Sequence, residues 1–207
     1  MLHPRASGND NLSDPSFWEE RYRAGQSGWD IGRPAPPFEN LLRAPDRPTP
    51  GRLAALGCGR GHDALLFARH GFSVTGFDFA PSAVQDARSA AARSGIAAEF
   101  VQADLFTLPT TYAGRFDYVL EHTCFCAIDP ARRGEYVDVV RRLLRPGGEL
   151  IALFFTHGQP GGPPFTTDVD EIRRLFGSVF TIERLEPARD SIESRRGREV
   201  LGRLRRY

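Results

Sequence analysis

From Arg52 onward, apolar residues arrive in short runs separated by helical stretches. Leu53-Ala54-Ala55-Leu56 is unbroken and stops at Gly57, the pattern of a strand buried on both faces. Gly61 to His70 reads as a helix closed by Gly71, and Phe72 to Asp78 as a second strand. Pro81 to Ser94 is an Ala-rich helix that Gly95 should terminate. Further strands are predicted at Ala98 to Val101 and Phe116 to Leu120, then a helix from Pro130 to Leu144. Pro146-Gly147-Gly148 reads as a turn into a fifth strand, Glu149 to Phe155. A Gly/Pro-rich loop spans His157 to Phe165, and Asp168 caps a helix reaching Phe176. Two last strands, near 179–186 and 197–206, have no helix between them and should pair as an antiparallel hairpin. Strands alternating with helices at this spacing predict βαβ units, an α/β fold with a mostly parallel sheet, and right-handed crossovers.

The first fifty residues follow neither rhythm. Residues 1–14 are polar and predict a disordered tail. Asp14-Pro15 then has the chemistry of a helix start, Asp14 as N-cap and Pro15 at the first helical position. That helix carries Phe17, Trp18 and Tyr22 and ends near Gly25. An irregular stretch through Trp29, Pro34, Pro36 and Pro37 follows, then a short helix from Phe38 to Arg43 and a Pro-rich connector at 45–51. We read one domain over residues 15–207, with 15–50 as an N-terminal segment added to the α/β unit.

Composition narrows the function classes. With 207 residues and 41% hydrophobic content the chain can build one full core. Its 27 basic and 26 acidic residues leave a net charge of +1, which gives no electrostatic case for a nucleic-acid or membrane partner. Every basic residue other than histidine is arginine, so lysine nucleophiles and Schiff bases are excluded. Three cysteines, Cys58, Cys124 and Cys126, do not make a disulfide framework, and Cys124-x-Cys126 without a second pair lacks a zinc pattern. No signal-peptide pattern precedes the first helix, and no run approaches the roughly 18 apolar residues of a membrane span. The expectation is a cytoplasmic monomer acting on a small molecule, without metal.

In an open α/β sheet, ligands bind beyond the carboxyl ends of the strands. The turn after the first strand is Gly57-Cys58-Gly59-Arg60-Gly61-His62-Asp63. Glycines at 57, 59 and 61 let backbone approach a ligand closely. Asp78, closing the second strand, is placed to accept both hydroxyls of a ribose, so the ligand should contain a nucleoside. A dinucleotide fingerprint would need its third glycine where His62 stands, and no Walker pattern is present. The G-x-G-x-G spacing is instead that of S-adenosylmethionine (SAM) sites. Asp104, just past the third strand, is placed to accept from an adenine amine; an ordinary turn aspartate is the plainer reading. Trp18 and Trp29, taken singly, read as core aromatics, but they lie in a polar, Gly-rich stretch that a core rarely uses. The arginines from Arg195 to Arg206 are interleaved with Glu193 and Glu199 and read as a solvated hairpin face.

Several motifs together resemble the thiopurine S-methyltransferase family, most closely its bacterial and plant branch that methylates thiols and halides. They are Phe17-Trp18-Glu19-Glu20-Arg21-Tyr22, Gly28-Trp29-Asp30, the glycine turn, Glu121-His122 with Cys126-Ala127-Ile128, and Gly161-Gly162-Pro163-Pro164-Phe165. The match runs from about residue 16 to 206. The resemblance implies a Rossmann-like Class I methyltransferase: a three-layer sandwich on seven strands, the last antiparallel, with the N-terminal segment folded over the cofactor as a lid. It implies Trp18 and Trp29 over the SAM and substrate sites, Gly57 and Gly59 at the methionine and ribose, and Asp78 on the ribose hydroxyls. Phe79, Asp104 and Leu105 would line the adenine and His122 the methionine end, with Cys58 and Glu121 completing the cofactor set. The acceptor set is read as Tyr22, Trp29, Cys126, His157 and Phe165, the last two because a loop after the fifth strand commonly walls a substrate site. The chain departs from the family in Ala55, where many methyltransferases are acidic, in Ala55-Leu56, where this family tends to show a proline before the first glycine, and in Phe165, where the halide branch often has tyrosine.

A sulfonium methyl group needs alignment and a dry site more than a base, and no Ser/His/Asp or Cys/His arrangement is evident. The expected activity is S-methylation of a small thiol, with halide or chalcogen acceptors secondary. O- or N-methylation of a small metabolite and a non-catalytic SAM-binding protein are the alternatives. The Asn/Asp-Pro-Pro-Tyr signature of amino-group methylation is missing after the fourth strand.

Overall fold

The computed structural model describes residues 10–207. Of the tail expected to be disordered, Asp10–Ser13 forms a 3-10 turn, and residues before it lie outside the described part. Helix α1 (Pro15–Arg23) begins as its sequence dictates: Asp14 accepts from the Ser16 N–H at 2.9 Å, and Pro15 needs no donor partner. Helix α2 (Pro36–Arg43) closes the N-terminal segment.

The α/β unit follows as β1 (Arg52–Leu56), α3 (His62–Arg69), β2 (Ser73–Asp78), α4 (Pro81–Ser94), β3 (Glu99–Gln102), the short α5 (Pro109–Tyr112) and β4 (Phe116–His122). It continues through α6 (Arg133–Leu143), β5 (Leu144–Phe155), α7 (Val169–Phe176), β6 (Phe180–Pro187) and β7 (Glu199–Arg206). The seven strands form one sheet in the order β3-β2-β1-β4-β5-β7-β6. Strands β1 to β5 pair in parallel, while β7 is antiparallel to both β5 and β6.

Strand alternation distributes the core over two faces. Ala54 and Leu56 of β1 join the cluster containing Tyr136, Val140, Ile172 and Phe176, under α6 and α7. Leu53 and Ala55 join Phe38, Leu65, Phe67 and Val84, under α2, α3 and α4. The result is a three-layer sandwich. Among the described residues no helix is long and apolar enough to cross a membrane.

Three local expectations change. Pro146-Gly147-Gly148 is a bulge inside β5 rather than a turn before it, because Leu144 already pairs with Phe116 and the register shifts before Glu149 meets Tyr118. The predicted Pro130 helix opens with a 3-10 turn, Pro130–Arg132, capped by Asp129, before α6 begins. The 3-10 turn Leu105–Thr107 and α5 fall where no periodicity announced an element.

Candidate functional site

A cavity of about 570 Å³ runs across the carboxyl ends of the strands. Sheet order makes it a linear map. Asp104 and Leu105 stand beyond β3, Asp78 and Phe79 at β2, Gly57 at β1, Thr123, Cys124 and Cys126 beyond β4, and Phe155 at the end of β5. Pro163 and Pro164 of the following loop, then Ser194, Arg195 and Arg198 before β7, complete that side. Trp18, Tyr22 and Trp29 of the N-terminal segment line it as well.

The N-terminal aromatics are fixed by packing and by charge. Trp18 and Tyr22 meet Trp29 edge-on, with ring centroids 5.7 and 5.4 Å apart, and Trp29 Nε1 donates to the Tyr22 hydroxyl at 3.0 Å. Glu19 accepts from the Ser82 N–H and hydroxyl at the start of α4. Arg60, in the glycine turn, donates to Asp30 at 2.7 Å and to Asp86 of α4 at 2.9 Å. The segment is therefore tied to the turn itself. Burial, with the Asp78 charge nearby, raises the Tyr22 phenol pKa and keeps it protonated.

Two glycines are required by this closeness. Gly57 has φ +55°, and a Cβ there would come within 2.9 Å of Cys124 Sγ; Gly59 has φ +53°, and its Cβ would meet the Tyr22 hydroxyl at 2.9 Å. Asp78 is 8% exposed. Its Oδ2 accepts from the Gly59 N–H at 2.8 Å and its Oδ1 from Ala80 at 2.9 Å. Burial raises its pKa, while the N–H groups of Ala80, Gly59 and Phe79 pull it down. The backbone donors leave open part of a carboxylate's roughly four acceptor sites, so the carboxylate is held and aimed without being used up. Asp104 caps the Leu105–Thr107 turn through Phe106 N–H at 2.9 Å, as the plainer reading expected, and it also lines the cavity.

The expected site residues divide. Trp18, Trp29, Gly57, Asp78, Phe79, Asp104 and Leu105 converge on the main cavity, as do Tyr22 and Cys126 from the acceptor set. Cys58, Gly59 and His122 border a smaller chamber of about 60 Å³ behind the glycine turn, which shares Tyr22, Trp29, Gly57 and Thr123 with the main one. Glu121 reaches neither. It is wholly buried, and its Oε1 accepts from the N–H groups of Cys124 and Phe125, so it supports the turn after β4 from beneath. His157 pairs through its backbone with Thr167 and lies against Phe155. Phe165 is buried over Gly162 and donates its N–H to the Cys126 carbonyl. Both stand outside the cavity wall, which their loop supplies through Pro163 and Pro164 instead.

The solvated reading of the C-terminal arginines fails at its most important member. Arg195 is 7% exposed, lines the cavity, and donates to the Trp29 carbonyl and, at 3.2 Å, to Glu199. Its Nη1 also lies 2.8 Å from His122 Nε2, while His122 Nδ1 is 2.7 Å from Asp63. The antiparallel sense of β7 explains the placement: its first residue, Glu199, pairs with Phe155, the last of β5, so the preceding turn must sit at the ligand end of the sheet. That inference was available once the last strand was read as antiparallel. Thr123, Cys124 and Phe155 were also missed, and they follow from the same rule applied to β4 and β5.

Burial works against a charged His122, but the Asp63 charge and its hydrogen bond, with that of Glu199, outweigh it and raise the pKa to about 9. Burial, followed by the Asp78 charge at Cys58 and the Glu121 charge at Cys124, pushes those thiols up, and burial with the Glu121 charge brings Cys126 to about 12, so none of the three is a thiolate near neutrality. Burial also raises Glu121 to about 7, above its ordinary 4.5, against the backbone donors of Phe125 and Cys124. The folded state then keeps a proton that the unfolded chain loses. Stability should therefore fall as pH rises from about 4.5 to 7, by about 3 kcal/mol, and level off above. Glu121→Gln, which cannot ionise, is expected to flatten that limb in thermal melts taken from pH 4.5 to 8. Parallel curves for the two proteins would assign the loss elsewhere.

The comparisons with known proteins agree with this geometry. The family model for thiopurine S-methyltransferase matches residues 13–205. A probable thiol methyltransferase 2 of Arabidopsis thaliana is 32% identical over 193 residues, covering 91% of this chain and 84% of that protein. Thiocyanate methyltransferase 1 of the same plant is 33% identical with the same coverage. In fold, the chain superimposes on Burkholderia thailandensis 1,6-didemethyltoxoflavin-N1-methyltransferase, crystallised with 1,6-didemethyltoxoflavin and S-adenosylhomocysteine bound, with a TM-score of 0.75 at 21% identity, covering 100% of this chain and 93% of that one. The chain belongs to the thiopurine S-methyltransferase family and is a SAM-dependent methyltransferase.

Proposed function

We propose that the enzyme S-methylates a small thiol, with thiocyanate or a halide as secondary acceptor. The observation that carries this is the polarity of the cavity along the sheet. Its carboxylates Asp104 and Asp78 stand at the β3 and β2 end, where Arg132 lies over the Phe106 ring, while Phe155, Pro163, Pro164, Arg195 and Arg198 form the β5 and β7 end. The remaining carboxylate of the lining, Asp129, caps the Pro130–Arg132 turn. An apolar, arginine-bearing end suits an acceptor that arrives soft and anionic and needs no base to remove a proton.

The residues fit the cofactor. Asp78 takes the ribose hydroxyls, Phe79 and Leu105 flank the adenine with Asp104 at its amine, and Gly57 admits the methionine portion beside Thr123. Bound there, SAM supplies a sulfonium methyl group open to in-line displacement. Trp18, Tyr22 and Trp29 exclude water from the reacting centre, and residues 15–50 act as the lid that carries them. We read the enzyme as a cytoplasmic monomer, Tyr207 being the one large hydrophobic side chain exposed among the described residues; light scattering of the purified enzyme reads its mass directly.

Incubation with SAM and a panel of aliphatic and aromatic thiols, thiocyanate, iodide, a phenol and an amine tests the acceptor. S-Methyl products and S-adenosylhomocysteine from the thiols are expected. Turnover confined to the phenol or the amine would overturn the reading.

A further inference from the structure

A buried cluster of charged groups lies at the edge of the cavity, with Arg195 reaching its wall. Asp63 of α3, His122 of β4, Glu199 of β7 and Arg195 of the turn before β7 meet there. A guanidinium only donates hydrogen bonds. With Arg195 Nη1 at 2.8 Å, His122 Nε2 must be the accepting nitrogen, so Nδ1 carries the ring proton and donates it to Asp63 Oδ2 at 2.7 Å. This is a neutral ring that holds Arg195 back against the wall.

A second ring proton disturbs this arrangement. It would sit on Nε2, pointing at a donor. Glu199 Oε1 lies 3.5 Å from Nε2 and is also the carboxylate oxygen that Arg195 Nη1 holds at 3.2 Å. A carboxylate oxygen accepts two hydrogen bonds, so protonation takes the imidazole from Nη1 and makes it share Glu199 with the ring, while Nη2 keeps the Trp29 carbonyl. The charge balance moves the same way. Asp63 and Glu199 against Arg195 leave one net negative charge with a neutral ring, and none with a charged one.

Arg195 borders the main cavity, whereas His122 borders only the small chamber. Thr123 separates them and lines both; at φ +57° it is the only residue other than glycine with positive φ among those described, a conformation a β-branched residue seldom adopts. Its hydroxyl donates to the His122 carbonyl at 2.7 Å.

We propose that His122 is a positioning residue for Arg195: neutral, it pins the guanidinium through Nε2; protonated from solvent, it turns to Glu199 and frees Arg195 to face an anionic acceptor. The proposal rests on the reading that the acceptor occupies the β5 and β7 end of the cavity. The other groups facing the ring are the Phe38 edge from α2, Glu121 on its own strand and, across the small chamber, Tyr22, Asp30, Arg33, Cys58, Arg60 and His62. Asp30 is already committed to Arg60 and His62, so it does not compete for Arg195.

Binding of an anion should thus be tightest with the ring charged. Iodide and thiocyanate do not titrate in this range, which separates the effect from ionisation of a thiol. Their KM is expected to rise about tenfold as pH goes from 7 to 10, the equivalent of about one unit of coupled pKa, with kcat changed much less. His122→Gln, permanently neutral, should show a flat and elevated KM. A readout independent of turnover is nitrogen-15 NMR of the imidazoles in the full chain with S-adenosylhomocysteine, His122 being assigned by its loss in His122→Gln. Arg195→Gln removes a repelling charge and a donor to the neutral ring and releases Glu199, so the His122 pKa should rise. An unmoved His122 pKa in Arg195→Gln overturns the proposal, as does a His122→Gln enzyme that keeps the wild-type pH dependence. If neither anion is methylated, the acceptor assignment falls and the NMR titration still decides the coupling.

Discussion

Asp78→Ala is expected to weaken SAM binding by about 10²–10³-fold. The reason is the way the carboxylate is held. Gly59 and Ala80 N–H groups fix one lone pair on each oxygen, at 2.8 and 2.9 Å, and the side chain lines the cavity at the end of β2. The acceptor capacity left over is directed by the same bonds, so ribose hydroxyls bound there would meet an acceptor whose ordering was completed on folding. Hydrogen bonds to a charged group contribute about 1.5–3 kcal/mol each, and two of them at the lower half of that span give the stated range. Alanine also leaves the Gly59 and Ala80 N–H groups without their partner, so the turn should loosen. Asp78→Asn keeps the shape but turns an NH₂ toward one of the two donors and should fall between alanine and wild type. Isothermal titration with SAM and S-adenosylhomocysteine reads the loss, with circular dichroism as the control for folding. An S-adenosylhomocysteine analogue lacking both ribose hydroxyls should bind wild type and Asp78→Ala within a few-fold of each other. A weakening below about fivefold for SAM itself would remove Asp78 from the ribose.

The same residue shows what a sequence makes legible. Asp78, Gly57 and Gly59 act within one β-turn-α unit, and their roles depend on neighbours a few positions away or on the adjacent strand. Helix boundaries were readable for the same reason: Asp14, Gly95 and Asp168 each satisfy donors or adopt a conformation dictated by the next few residues. The failures are residues whose partners are remote in the chain. Arg195 meets Trp29 across 166 positions and His122 across 73, and nothing local distinguishes it from Arg196 or Arg198. Glu121 belonged to a recognisable motif, but whether its carboxylate points to the cavity or beneath the turn depends on which side of β4 faces the core. His157 and Phe165 were assigned to the acceptor from their loop alone, and that loop turns its prolines inward and its aromatic ring away.

The acceptor end of the cavity depends on a residue that touches no part of it. Arg133 is 2% exposed and joins three elements. From α6, its Nη1 donates to the Thr166 carbonyl at 2.9 Å and to Glu171 of α7 at 2.6 Å, and its Nη2 donates to the Thr167 hydroxyl at 2.9 Å. The guanidinium lies 4.9 Å from the Phe125 ring centroid. Thr167, itself buried, is the residue that pairs with His157 and closes the loop carrying Pro163 and Pro164. Arg133→Met preserves most of the stem's volume and removes every one of these polar contacts. Breaking a buried pair from one side costs about 3–5 kcal/mol. Glu171 retains some exposure, 22% of its side chain, so about 2–4 kcal/mol is the expected loss. For a domain of this size that lowers Tm by roughly 5–12 °C. Adding Glu171→Gln should recover part of it, since the carboxylate that Arg133→Met leaves unpaired is then gone. Function should separate along the cavity: the acceptor KM rises because the loop loses its anchor, while SAM affinity, set at the β1 to β3 end, changes little. A Tm within about 2 °C of wild type, or a parallel loss of SAM and acceptor binding, would show that Arg133 does not hold the loop in this way.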